Sequence, residues 1–417
     1  MKNKSLAEFL AGISPAQYEL MVGKKTDNPL TQTFAKKRVV HPGANGEKIA
    51  GEMQQATWNE LMQRRGNTAE KRAAYIHIPF CSRMCLYCGF FQNYSNEDRE
   101  TYYVDRLIKQ LEKAVGYRYL QDGIINAVFF GGGTPSALSP FNVARLLKTV
   151  RRVLPLANDC EITMEARNND LVNSKLEAWL TNGVNRISVG VQSFDTKIRQ
   201  QLGRIDTYED VVANLERAAA YNQAVMIIDL IYGLPGQTVE KFIEDISIAD
   251  SLPIDAMDLY QLNVFEDSKL QKAIMAGKIP PAATTAEQAE YLAAAVKYLD
   301  NRAYKRLSIC HWGKTNRERS MYNTLVKAGA EVFPFGAGAG GALGGVSMFL
   351  HRNIDSYNKE MDADRVPLMF MMRQPLLRAL YSDIQAQTEN CQVNIEQLAK
   401  KHDPRVRELT MLLDLWV

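Results

Sequence analysis

The sequence predicts an α/β protein built on a partial (β/α)6 barrel of the TIM type, with an N-terminal arm and a smaller C-terminal α+β and helical region. Three observations predict it. From Ala73 to Leu262, short apolar runs alternate with longer helical patterns, as expected of strand–helix units around a parallel sheet. Six such units occupy about 190 residues, which suits an open barrel rather than a closed eight-fold one. Glycine-rich or polar motifs fall where strands end, and barrels of this kind gather function at the C-terminal ends of their strands.

The elements follow in order. Ala73–Ile78 is the first strand, and Asn96–Tyr119 the first helix, with Asn96 suited to cap it. Ala127–Phe130 and the helix Ser139–Val153 form the second unit. Glu161–Glu165 with Asn168–Asn182 form the third, and Arg186–Gly190 with Tyr208–Tyr221 the fourth. Val225–Tyr232 with Val239–Leu252 form the fifth, and Ala256–Leu262 is the sixth strand. The domain division is therefore 1–72 as an arm, 73–270 as the barrel, 271–375 as a region covering the substrate, and 376–417 as a helical segment. Within the arm, Leu6 to Met21 has weak helical periodicity, and Thr26 to Gly51 is turn-rich and carries the basic triplet Lys36-Lys37-Arg38. The arm is expected to pack loosely over the barrel. In the last segment, Asn394–Lys401 and Val406–Trp416 read as the first helices of a winged-helix-like module, and the chain stops within an apolar helix. Such a helix calls for cover, from a continuation of the chain or from a partner.

At 417 residues and a net charge of +3, the composition is that of an ordinary globular protein, with no electrostatic case for nucleic acid or membrane as partner. No run approaches the roughly 18 apolar residues of a membrane span, and the N-terminus lacks the apolar core of a signal peptide.

The chemistry concentrates in residues 75–91. Cys81, Cys85 and Cys88 have C-x3-C-x2-C spacing inside one tight loop. Iron–sulfur cubanes are held by thiolates, usually four. Three in one loop leave one iron without a protein ligand, and an open position is where a metal does chemistry. A zinc site is the alternative, but it needs a fourth ligand, and His77 is too close in sequence, in the strand before the loop; three unrelated core cysteines are another. Cys160, Cys310 and Cys391 are scattered and read as reduced core residues. An oxygen-sensitive cluster without a targeting segment suggests a cytoplasmic protein.

Further candidates sit at strand ends. Gly131-Gly132-Gly133-Thr134-Pro135 follows the second strand, and consecutive glycines let backbone approach a ligand closely. Glu165 ends the third strand, Gln192 lies just past the fourth, Arg204 follows twelve residues later, and Asp229 lies near the end of the fifth. Arginine's fork suits a carboxylate, and glutamine offers a donor and an acceptor.

The cysteine loop resembles that of the radical S-adenosylmethionine (SAM) superfamily, including an aromatic residue, Tyr87, before the last cysteine. The resemblance implies a 4Fe-4S cluster whose open iron binds SAM and splits it, by one electron, into methionine and a 5′-deoxyadenosyl radical. Together with GGGTP, Glu165, SVGVQSF, LGR and DLIYGLPGQT, the loop resembles one branch, that of oxygen-independent coproporphyrinogen III oxidase, over roughly residues 73 to 270. That branch implies two SAM molecules. Tyr75, Gly132 and Glu165 match positions that contact the first, while Tyr87, Gly133, Thr134, Gln192, Arg204 and Asp229 match those that contact the second. It also implies an electron donor, flavodoxin or a similar reductant.

The C-terminal third narrows the resemblance. Phe335 to Gly345 reads FGAGAGGALGG, preceded by His311-Trp312 and Arg317-Glu318-Arg319-Ser320-Met321-Tyr322-Asn323. These runs resemble the anaerobic haem-degrading radical SAM methyltransferases, the HutW/ChuW group. The implied activity is methyl transfer from SAM to haem, ring opening to a linear tetrapyrrole, and iron release without oxygen. Gly338 and Gly340 are then candidates for a flat wall against the macrocycle, a mobile hinge loop being the alternative. His311 is a candidate haem ligand or a structural histidine, and His351 a weaker candidate ligand. Arg317 and Arg319 are candidates for pairing with propionates, or form a solvated face. Lys305-Arg306 stands where many relatives have an acid, which counts against porphyrinogen decarboxylation, the alternative activity; a haem chaperone of the same branch is the third reading.

Overall fold

A computed structural model describes residues 5–34, 46–66 and 69–414. Thirteen strands form one sheet: β1 (Glu47–Ile49), β2 (Arg72–Ile78), β3 (Ile125–Gly132), β4 (Leu156–Arg167), β5 (Arg186–Gln192), β6 (Val225–Tyr232), β7 (Ala256–Gln261), β8 (Lys305–Arg306), β9 (His311–Gly313), β10 (Glu331–Phe335), β11 (Gly340–Leu343), β12 (Val346–Leu350) and β13 (Leu368–Arg373). Their order is β1-β13-β12-β11-β10-β2-β3-β4-β5-β6-β7-β9-β8. Strands β2 to β7 pair successively and in parallel, as the alternating pattern predicts. β10 adds a further parallel strand beside β2, and β11, β12, β13 and β1 continue as an antiparallel wing.

Parallel pairing needs a crossover between successive strands. Helices Glu97–Lys113, Pro140–Val153, Asn173–Leu180, Tyr208–Ala220 and Val239–Ser251 supply it. Asn96, Ser139, Thr207 and Thr238 cap four of them by accepting a backbone N–H. Glu97–Lys113 shows how the sequence selects the buried face: Tyr103, Val104, Leu107 and Leu111 recur at helical spacing and are all buried. They pack on the outward residues of the sheet, among them Ile76, Val128 and Phe130.

The inward residues alternate with these. On β2 and β3 they include Ala73 and Ala127, which are small enough to admit helix Met321–Lys327 against the inner face. Tyr322 of that helix stacks on Phe129 with ring centroids 4.6 Å apart. The backbone N–H groups of Met321 and Tyr322 donate to the Glu161 carboxylate at 3.0 and 3.1 Å, satisfying donors at the helix start. The 315–327 stretch thus closes the floor of the barrel, at the end opposite the strand-end motifs.

The N-terminal region departs from the expected loose arm. β1 pairs with β13, and helix Gly51–Gln63 buries Trp58, Leu61 and Met62 in the main core. Apolar spacing inside that helix explains the tight packing. Lys36-Lys37-Arg38 lies outside the described residues. Near the C-terminus, Leu398, Ala399 and Val406 form a small separate core with Leu380, Ile384 and Leu409. Val406 and Leu409 lie on the 3-10 helix Pro404–Leu409, which the short helix Thr410–Leu413 follows. Among the described residues, no helix is long and apolar enough to cross a membrane.

Candidate active site

The loop after β2 carries the three cysteines to the barrel mouth. Cys81 and Cys85 are buried and Cys88 is half-buried. Each thiol faces a donor: Thr134 Oγ1 at 3.2 Å from Cys81 Sγ, Arg167 Nη2 at 3.5 Å from Cys85 Sγ, and the Phe90 N–H at 3.3 Å from Cys88 Sγ. Burial pushes the Cys81 thiol up, against the hydrogen bond from Thr134 and the charge of Arg167. Leu86 N–H donates to the Leu202 carbonyl at 3.1 Å, which ties the loop to the segment bearing Arg204.

The glycine motif docks directly on this loop. Gly133 N–H donates to the Ile78 carbonyl at 2.8 Å, and Thr134 N–H to the Phe80 carbonyl at 2.7 Å. Gly132 has φ +115°, and a Cβ there would fall 2.6 Å from the His77 ring, so both backbone conformation and space require glycine. A Cβ on Gly131 would meet Tyr75 and Glu165 at 3.1 Å. Gly131 is therefore the gap between the two side chains expected at the first SAM position. Tyr75 Oη lies 3.2 Å from His77 Nδ1, and Gln92 Nε2 lies 3.1 Å from His77 Nε2. Burial, with Arg352 nearby, depresses His77 to about 4, so the ring is neutral at physiological pH.

On the other flank, Arg204 is clamped. Its Nη1 donates to the Gly190 carbonyl at 2.6 Å, and Nε and Nη2 reach Tyr87 Oη at 3.1 and 2.9 Å. Gln192 adopts φ +74° at a register shift between β5 and β6, a left-handed conformation uncommon outside glycine. Such strain clusters at functional positions. Asp229 accepts from Ser188 Oγ at 3.1 Å. The structure brings Tyr75, Gly132 and Glu165 together on one flank, and Tyr87, Gln192, Arg204 and Asp229 on the other. Gly133 and Thr134 lie against the cysteine loop.

Burial, with Asp229 nearby, pushes Glu165 up to about 8. Burial, with Asp258 nearby, pushes Asp229 up to about 7. Neither carboxylate makes an ion pair among the described residues.

Three of the candidate haem contacts are engaged by the chain's own residues instead. His311 is 3% exposed, with Nδ1 2.9 Å from Asp258 and Nε2 3.3 Å from Glu318. Burial disfavours its charged form, but the two carboxylates outweigh that and raise it to about 9. A protonated imidazole, hydrogen-bonded through Nδ1 to Asp258 and with Nε2 beside the Glu318 carboxylate, has no free lone pair for iron. Glu318 in turn binds Arg186 Nε at 3.1 Å. Arg317 holds Asn222 and the Ala224 carbonyl just before β6, and Arg319 holds Asp159 early in β4. Both are at the N-terminal ends of strands, so neither reaches a ligand at the mouth.

The glycine run is likewise a built element, forming β11 and the turn into β12. A Cβ on Gly340 would strike the Phe349 ring at 2.7 Å, so this glycine serves packing and not an open wall. Gly338 does face the mouth, since its Cβ would meet Gln92, His77 and Arg352 at 3.3 to 3.6 Å. Sequence reasoning missed Arg167, Asp258, Arg186 and Glu318. For Arg186 a signal existed, a charge opening an otherwise apolar buried strand.

Comparison with known proteins agrees with this geometry. The radical SAM superfamily profile matches residues 75–249. An anaerobilin synthase of Escherichia coli O157:H7 is 37% identical over 388 residues, covering 92% of this chain and 85% of its own. The chain belongs to the radical SAM superfamily. The heme chaperone HemW of Bacillus subtilis is 31% identical, over 66% of this chain and 72% of its own. The solved structure of coproporphyrinogen III oxidase (HemN) from Escherichia coli superposes with a TM-score of 0.72 at 20% identity, covering 84% of this chain and 82% of that one, a likeness of fold.

The superfamily implies a 4Fe-4S cluster and SAM, and the residues fit both. Three thiols share one loop, each beside a donor that would stabilise thiolate. SAM carries a sulfonium and an ammonium group, and Glu165 and Asp229 are half-buried carboxylates of raised proton affinity that make no ion pair among the described residues.

Proposed function

We propose that this protein is a radical SAM C-methyltransferase that methylates haem and opens its macrocycle without oxygen, releasing iron and a linear tetrapyrrole. One observation carries the reading. The match to the anaerobilin synthase spans 92% of the chain and so must include most of the C-terminal third, while the match to HemW spans 66%. That third builds the barrel floor and the β10–β13 wing, which complete the site.

Cys81, Cys85 and Cys88 would hold the cluster. Tyr75, Gly132 and Glu165 would orient one SAM, and Tyr87, Gly133, Thr134, Gln192, Arg204 and Asp229 a second. When bound, the cluster supplies the electron that starts radical methyl transfer from SAM. The chain's own part is placement. Arg204, fixed by Tyr87 and the Gly190 carbonyl, would offer its remaining N–H groups to a carboxylate. Glu165 and Asp229 offer negative charge where a cationic ligand arrives, which also draws their raised proton affinity back down. The glycines of residues 131–133 let the ligand lie against backbone. Haem would enter over the mouth, where Gly338 leaves space and Tyr260 and Phe265 are exposed. The electron donor would be flavodoxin or a similar reductant. All six cysteines are free, which suits a reducing compartment, and we place the protein in the cytoplasm.

The HemW relatives favour a second reading, a haem chaperone. Decarboxylation of coproporphyrinogen is less well supported, because the exposed pair Lys305-Arg306 occupies the position of the expected acid.

The test is anaerobic turnover of the reconstituted protein with haem, a reductant and SAM bearing a deuterated methyl group. A linear tetrapyrrole carrying deuterated carbon, with deuterated 5′-deoxyadenosine, is the expected product pair. Intact haem with slow, undeuterated deoxyadenosine would sink the methyltransferase reading and leave the chaperone.

A further inference from the structure

We propose that Arg167 is a positioning residue that sets the reduction potential of the cluster, through a charge-assisted hydrogen bond to the Cys85 sulfur. The inference rests on the superfamily's cluster and not on which substrate is methylated.

Arg167 is the last residue of β4, two positions beyond Glu165, so strand alternation turns both side chains to the same face. One strand end therefore delivers a carboxylate to one side of the mouth and a guanidinium to the cysteine loop. The Arg167 backbone is fixed by its N–H, which donates to Ser136 Oγ at 3.0 Å. Its Nη2 donates to the Arg83 carbonyl at 2.5 Å and lies 3.5 Å from Cys85 Sγ. The Arg83 carbonyl belongs to the stretch between the first and second cysteines. The guanidinium is thus anchored by the same loop whose sulfur it faces. It borders a small cavity of about 30 Å³ that is also lined by Arg83, Asn169, Arg204 and Asp206. Its charge is also felt at Cys81.

The other two sulfurs face uncharged donors, Thr134 Oγ1 and the Phe90 N–H. Cys85 alone faces a permanent cation among these three contacts. Hydrogen bonds to cluster sulfurs and local charge are what a protein uses to tune such potentials. One-electron reduction adds a negative charge to the cluster. A fixed cation beside one thiolate favours that reduced form and makes reduction by a low-potential one-electron donor easier.

The experiment is an anaerobic redox titration of reconstituted protein, without SAM or substrate, monitored by electron paramagnetic resonance, on wild type, Arg167→Gln and Arg167→Lys. Iron and sulfide content is measured on each. With content unchanged, Arg167→Gln should reduce the ratio of reduced to oxidised cluster about tenfold at a fixed potential, a midpoint lowered by about 59 mV for one electron. Arg167→Lys keeps the charge without the fork and should fall between the two. A Gln variant with full cluster content and the wild-type midpoint overturns the proposal. If the Gln variant does not hold a cluster, the Lys variant decides. A midpoint below wild type supports the proposal. A wild-type midpoint, or loss of the cluster there as well, reduces Arg167 to a loop pin.

Discussion

At the barrel mouth, Glu165 and Asp229 are half-buried carboxylates that make no ion pair among the described residues. Within the same barrel, Glu318 and Asp258, the latter the register partner of Asp229, are buried carboxylates matched by Arg186 and His311. The residue types are alike and the accounts differ. Where the chain satisfies its own buried charges, the network is structural. Where they make no ion pair, with Glu165 raised to about 8 and Asp229 to about 7, they are the groups proposed above to receive a cationic ligand.

This contrast can be broken at several points, starting with the largest effect. Cys85→Ala should abolish both the cluster, seen as loss of its visible absorption, and turnover, because two thiolates in the loop do not replace three. Retention of a stable, reducible cluster would refute the ligand assignment.

Glu318→Gln leaves Arg186 and His311 buried with too little negative charge. It should destabilise the fold by roughly 3–5 kcal/mol in chemical denaturation, the cost of breaking a buried pair. A variant as stable as wild type would mean that the floor is not held by this network.

Asp229→Asn should do the reverse. The folded Asp229 has a raised pKa, so its ionised form costs stability; that cost is absent below the ordinary pKa near 3.8 and complete once pH has risen past about 7. At pH 8 the Asn variant without ligand should be at least as stable as wild type. It should nevertheless bind SAM roughly tenfold to a hundredfold more weakly at that position, from loss of a hydrogen bond to a charged group. Unchanged SAM binding by equilibrium titration would remove Asp229 from the site.

His311 gives the sharpest pH signature. Its folded pKa is about 9, above the ordinary 6.5, so its contribution to stability is complete below 6.5 and is lost as pH rises through 9. Wild type should lose stability across that window, and His311→Gln should show a flatter profile. Equal slopes would mean that the imidazole is not held protonated.

The smallest effects are expected at Arg317 and Arg319, each 44% exposed at the side chain. Changing Arg319 to Ala should cost at most about 1 kcal/mol, as exposed ion pairs do, and leave haem turnover unaltered. A large rise in the KM for haem would return that arginine to the substrate site.

The site was legible from sequence where its signals are local. The cysteine spacing, the GGGTP turn after β3, and Glu165, Gln192 and Asp229 near strand ends each need only one element to be read correctly. The parallel core was legible for the same reason, since strand and helix periodicities differ. At His311, Arg317, Arg319 and Gly340 the sequence leaves a substrate role and a structural role open, because residue type does not say which neighbours a distant segment will meet.

By itself, the sequence determined the six parallel strands, the cluster loop and the polar groups at the mouth. Side-chain alternation and short-range spacing carry that information along the chain. Only the tertiary structure decided that residues 315–327 form the floor, that His311 meets Asp258 across 53 positions, and that Arg186 meets Glu318 across 132. It also decided that Arg167 meets the Cys85 sulfur across 82. Such pairings depend on how the sheet curls and on what fills its interior. Whether a buried charge is satisfied is a property of that three-dimensional neighbourhood and not of the residue.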